Sequence, residues 1–331
     1  MANRRHIERE MSTILPTTDF DWPMFGLIDD VRPAMAIARA AGRRMALATL
    51  YGVEGGAPRG LGAQMLFDDA GEVAGYLSGG CVEADVALHA RAVLAEDAPR
   101  RLTYGEGGPA DIALPCGSRI EVLVEPLAPD DDALSRLLGF AEARTPALWL
   151  TEGEQRACVA EGGPAPAFTP LLTRRYDPPL RALVIGGDPA ALATAQLLQE
   201  SGFATTLVRP KGPEQPPPFA VADYRRGEAD EAIASLGPDP WTAICIMTHD
   251  LDVEHSATLA TLRSHAGYIG VLGSRRRAPE REARLRSAGV NEAGLARLNA
   301  PIGLDIGGKA PWHIAVAVAA EILQRLHRDV G

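Results

Sequence analysis

Apolar positions in the first half of the chain come in short runs broken by glycine. Met35, Ile37, Ala38 and Ala41 give a loose apolar face, predicting a helix over 28–42 that Gly42 stops. The run from Met45 to Tyr51 predicts a strand. Residues 63–67 and 72–77 predict a β-hairpin across Asp68-Asp69-Ala70-Gly71. A helix is expected over 82–94 and a short strand over 101–104. Clean alternation from Arg119 to Glu125 marks a half-buried strand. A helix over 130–144 and a strand over 147–150 follow.

The pattern changes after residue 160. Glu161-Gly162-Gly163-Pro164 and Tyr176-Asp177-Pro178-Pro179 bracket a Pro/Gly-rich stretch, read as a linker over 161–179. Beyond it strands and helices alternate. Strands are expected from Arg181, at 205–208, 242–248 and 268–272, and helices at 189–201, 228–236, 252–264, 275–288 and 311–327. Such alternation predicts a doubly wound parallel sheet. The expected fold is α/β: a small α+β domain over 28–160, then a Rossmann-like domain over 180–331, with a polar tail over 1–27.

Composition narrows the partners. A net charge of −10 over 331 residues argues against nucleic-acid or anionic-membrane binding, which needs clustered Lys and Arg. No apolar run of about 18 residues exists, so no membrane span is expected. The four cysteines, Cys81, Cys116, Cys158 and Cys245, form no CxxC pair. A disulfide framework and a zinc finger are therefore not expected, and a reducing cytoplasm fits best. The first 27 residues carry no apolar signal core, and Met11 offers an alternative start.

Candidate chemistry gathers in three glycine-rich loops of the first domain: Gly52–Gly62, Ser78-Gly79-Gly80-Cys81, and Gly105–Gly108 leading to Cys116-Gly117-Ser118. Glycines admit a ligand to the backbone, whose free N–H groups bind phosphate. Cys81 stands where a helix begins, and N–H groups with the helix dipole favour a thiolate there. A buried cysteine in a tight strand-to-helix turn is the structural alternative.

In the second domain a dinucleotide fingerprint would read G-x-G-x-x-G, but the chain reads Gly186-Gly187-Asp188-Pro189. Asp188 sets a carboxylate where a diphosphate would lie, which argues against NAD(P). The second strand ends in Arg209, where NAD enzymes carry an acid; an arginine there suits a 2′-phosphate or a solvated surface. Gly273-Ser274-Arg275, at another strand end, fits an anion, or else a solvated helix whose arginines pair with Glu280 and Glu282.

Together, Gly60-Leu61-Gly62-Ala63-Gln64-Met65, Ser78 to Glu83, Cys116-Gly117, Thr248-His249-Asp250, Tyr268 to Arg276 and Ala300 to Gly307 resemble the xanthine dehydrogenase accessory family of the XdhC/CoxI type, over roughly Ala34 to Leu326. The resemblance implies a non-catalytic chaperone that binds molybdenum cofactor (molybdopterin) as cargo. Such a chaperone supports sulfuration of the cofactor with a cysteine desulfurase and delivers it to the large subunit of a molybdenum hydroxylase. It also implies a homodimer. On that basis Cys81 is the first candidate contact, including a transient one to molybdenum, and Cys116 the second. Ser78, Gly79, Gly80, Gly62 and Gln64 line the approach, and Ser274 and Arg275 are placed to hold a phosphate across the crevice between domains. The chain departs from the family pattern at Asp188, Arg209 and Ser118. The alternative is an NAD(P)-dependent oxidoreductase using the Rossmann-like domain; a scaffold that binds only protein is a third reading.

Overall fold

A computed structural model describes residues 22–326, except 58, 81, 109–111, 113, 115 and 116. Cys81, Cys116 and most of the expected tail therefore lie outside the described residues. The chain divides into two compact units, Met1–Pro178 and Pro179–Gly331.

Unit 1 is built on a five-stranded antiparallel sheet in the order β3-β2-β1-β5-β4. Its strands are β1 (Met45–Glu54), β2 (Gln64–Asp68), β3 (Val73–Gly75), β4 (Arg100–Tyr104) and β5 (Arg119–Leu127). Side chains on a strand alternate between faces. On β1, Ala46, Ala48 and Leu50 face helix α2 (Glu83–Glu96) through Val86, Ala90 and Val93. Met45 and Leu47 face the opposite core, with Met35 of α1 (Arg32–Ala40) and Leu134 and Leu137 of α3 (Asp132–Glu142). Cover on both faces explains why β1 reads as a nearly unbroken apolar run.

A second sheet, in the order β7-β6-β8, joins β6 (Ala147–Thr151), β7 (Arg156–Ala160) and β8 (Leu172–Tyr176). Glu125 of β5 is fully buried against it. Its carboxylate accepts from Thr151 Oγ1 at 2.7 Å, Trp149 Nε1 at 3.3 Å and Arg156 Nε at 3.2 Å. Burial pushes this carboxyl up from its ordinary value, against the pull of Arg156. Strand β8 corrects one expectation: part of the range 161–179 is a strand paired with β6 rather than linker, with Leu172 and Tyr176 buried at its two ends. The first helix is also shorter than expected. A 3₁₀ turn spans Met24–Leu27, and the Asp30 carboxylate accepts from the Arg32 N–H at 3.0 Å as α1 begins.

Unit 2 is a six-stranded parallel sheet in the order β11-β10-β9-β12-β13-β14. The strands are β9 (Arg181–Ile185), β10 (Ala204–Val208), β11 (Asp223–Arg225), β12 (Thr242–Ile246), β13 (Tyr268–Val271) and β14 (Leu298–Asn299). Helices α4 (Pro189–Glu200) and α9 (Pro311–Leu326) cover one face, with Ala191, Ala195, Leu198, Val318 and Ile322 in its core. Helices α5 (Ala229–Leu236) and α6 (Leu251–Leu262) cover the other with Ile233 and Ala257. This is the Rossmann strand order. The helix expected over 275–288 splits into a 3₁₀ turn (Arg275–Arg277) and α7 (Ala278–Ser287), since Pro279 lacks an N–H and suits a first helical turn. A short α8 (Glu292–Ala296) precedes β14.

Candidate functional site

The pairing of unit 1 sends all three glycine loops off one end of its sheet. Strands β1, β3 and β4 run towards that end, and β2 and β5 start from it. Loop 1 (55–63) joins β1 to β2, loop 2 (76–82) leads from β3 into α2, and loop 3 (105–118) joins β4 to β5. The loops touch pairwise at their roots. Arg59 of loop 1 lies 5.9 Å from the ring centroid of Tyr76 in loop 2. A Cβ placed on Gly55 would sit 3.4 Å from the Ser118 Cα of loop 3. Tyr104, at the root of loop 3, donates at 2.7 Å to Asp85 in the first turn of α2. Burial and that carboxylate push the Tyr104 phenol far up, so it stays a donor.

Loop 2 is held from inside by Glu83, which is 3% exposed. Its Oε1 accepts from the N–H groups of Leu77 (3.2 Å), Ser78 (2.6 Å) and Gly79 (3.3 Å). Its Oε2 accepts from Ser78 Oγ at 3.0 Å and the Val82 N–H at 3.2 Å. Gly79 and Gly80 turn the chain at φ +133° and +88°, which L side chains rarely adopt. Several backbone donors expected to stand free for a phosphate are thus already on a carboxylate. Ser78 is buried in the same arrangement. Sequence reasoning gave Glu83 no role; an acid in the first turn of a helix was its signal.

Gln64, expected at the approach, is turned inward. Its Nε2 donates to Thr49 Oγ1 at 3.1 Å and its Oε1 accepts from Tyr176 at 2.6 Å. Gly62 borders the stem of Arg174 from β8. Arg174 and Tyr176 were missed because their strand was read as linker.

In unit 2 the expected anion site at Ser274 and Arg275 is compensated. Arg275 Nη2 pairs with Asp305 at 2.9 Å, with both side chains more than 70% exposed. At the switch point between β9 and β12, Asp188 is the N-cap of α4, its Oδ1 accepting from the Ala191 N–H at 2.8 Å. Its Oδ2 lies 3.0 Å from His249 Nε2. The carboxylate therefore fills the helix start where a diphosphate would bind. The Arg209 side chain lies across Gly187, so a Cβ on Gly187 would collide with it. Among the described residues no group of three or more His, Cys, Asp or Glu side chains could hold a metal ion, and no helix is long and apolar enough to cross a membrane.

Residues 38–105 match the XdhC and CoxI family, and residues 182–322 match the XdhC Rossmann domain. The chain belongs to the XdhC and CoxI family. Among its relatives is the molybdenum cofactor insertion chaperone PaoD of Escherichia coli, 29% identical over 92% of this chain and 91% of PaoD. Another, a probable xanthine dehydrogenase subunit of Bacillus subtilis, is 26% identical over 85% of this chain and 93% of that protein. A crystal structure described as a xanthine dehydrogenase from Bacillus halodurans shares the fold with a TM-score of 0.72. It is 24% identical over 91% of this chain and 96% of its own. Gly62, Ser78, Gly79, Gly80, Glu83 and Gly117 all fall on or beside the loop end of the unit 1 sheet.

Proposed function

We propose that this chain is a carrier for molybdenum cofactor, which it holds as cargo at the loop end of unit 1 and hands to the large subunit of a molybdenum hydroxylase. The observation that carries the reading is the convergence of the three glycine loops on one sheet end, with pairwise contacts at their roots. The insertion-chaperone relative supports it. Cys81 in loop 2 and Cys116 in loop 3 are the soft ligands suited to the cofactor's metal and sulfur, and Gly79, Gly80 and Gly62 admit it to the backbone. A cysteine desulfurase as sulfur source, a homodimer and a cytoplasmic location complete the proposal.

The test is direct. The chain is purified from a host that makes the cofactor, then assayed for molybdenum and, after oxidation, for pterin fluorescence. Both are expected on the wild type, with reduced loading in Cys81→Ala. Wild-type protein that carries neither would overturn the carrier reading. Equal loading of Cys81→Ala would remove Cys81 from the site.

A further inference from the structure

Arg174 stands on β8, one strand of the small sheet. Its guanidinium lies 4.4 Å from the centroid of the Tyr176 ring. That ring is itself pinned, since its hydroxyl donates to Gln64 at the start of β2. The Arg174 stem passes Gly62, where a Cβ would sit 3.6 Å from its Cγ. The cation is therefore held beside loop 1, at the loop end of the sheet.

Other arginines of unit 1 are paired. Arg32 is paired with Asp30 at 2.8 Å, Arg59 with Asp29, and Arg156 with Asp131 at 2.9 Å. Arg175, next in sequence, pairs with Asp177 at 2.9 Å and with Glu161. Arg174 has no carboxylate among the described residues, and its buried Nη1 finds no acceptor. Ring stacking occupies the flat face of a guanidinium and leaves the N–H groups in its plane unused. In a chain of net charge −10, a fixed arginine without a counter-ion at the mouth of a glycine loop calls for an anion.

We propose that Arg174 receives the phosphate monoester of the pterin cargo. The inference rests on the carrier reading above. A guanidinium fork matches two phosphate oxygens at once, and stacking on Tyr176 fixes the fork before the ligand arrives. Glu83 makes the assignment sharper: it takes backbone donors of loop 2, so the phosphate needs a cation elsewhere on the same sheet end.

The experiment uses the full chain, wild type, Arg174→Met and Arg174→Lys, each checked by thermal melting. Pterin isolated from a molybdoenzyme is titrated in its phosphorylated form and after phosphatase treatment. Arg174→Met is expected to bind the phosphorylated form about tenfold or more weaker, the scale of a lost charge-assisted bond, and Arg174→Lys to fall between. The dephosphorylated form is expected to bind wild type and Arg174→Met alike. Equal affinity of wild type and Arg174→Met for the phosphorylated form overturns the proposal. So does an equal loss for both forms, which marks a purely structural role. If wild type binds neither form, the carrier reading fails instead, and inorganic pyrophosphate decides the anion site: heat of binding in wild type alone supports it, and none in either protein overturns it.

Discussion

Glu83 commits both carboxylate oxygens to the turn that precedes its own helix. Replacing it by Gln turns an amide NH₂ towards donors that need an acceptor. Glu83→Gln is expected to cost about 1–3 kcal/mol, the scale of a buried group left unsatisfied, read as a lower urea midpoint at unchanged slope. An unmoved midpoint would show that the turn holds itself. The cysteines behave differently. Burial pushes the Cys158 thiol up from 9.0 to about 11, and pushes Cys245 up further. Below pH 9 the Cys158 thiol is protonated in both folded and unfolded chains and takes nothing from stability. Between pH 9 and about 11 the unfolded thiol ionises first, so stability is expected to fall with rising pH in that window. A Cys158→Ser chain that loses stability just as steeply there would count against this assignment. Iodoacetamide at pH 8 is expected to spare Cys158 and Cys245 in the folded chain, and mass spectrometry of native and unfolded protein checks it. At this scale the sequence made Cys81 visible by its glycines. It could not show Glu83 folding back, because that bond depends on where the turn carries Ser78.

At the scale of elements, β8 shows what a linear pattern hides. Leu172 to Tyr176 alternates over five residues, but two arginines and flanking prolines resemble a linker. Its pairing with β6 and the bond from Tyr176 to Gln64 are tertiary facts. Tyr176→Phe is expected to leave a buried amide oxygen unmatched and cost about 1–3 kcal/mol in a denaturant titration. If it is neutral, the bond adds little to holding β8. Helix α4 was legible from Pro189 onward, but Asp188 was legible only as a broken fingerprint, although Asp before Pro is also an N-cap signal. Asp188→Gly exchanges the cap for the missing glycine, at a cost of only a few tenths of a kcal/mol. NADPH fluorescence titration is expected to show binding in that variant and none in wild type. Micromolar binding by wild type would reopen the oxidoreductase alternative.

Across the whole molecule, the strand and helix alternation after residue 180 was enough to read a parallel sheet, though not its short strands β11 and β14. The antiparallel sheet of unit 1 was less legible. Its central contact pairs β1 with β5, from Met45↔Leu127 to Glu54↔Arg119, and no periodicity encodes so distant a partner. Each unit closes its own cores, so changes should stay within a unit. Asp188→Gly is expected to leave molybdenum per chain unchanged, whereas Glu83→Gln lowers it; a fall in both would place cargo contacts in unit 2 as well. The internal grip on loop 2 has a kinetic meaning. A turn whose amides are already bonded keeps one shape whether or not the carrier is loaded. In hydrogen exchange on the empty protein, the amides of Ser78, Gly79 and Val82 should be slow, and adding cargo should slow them little further. Uptake would then be timed by encounter, and the residence time of the cargo by the few contacts it makes for itself.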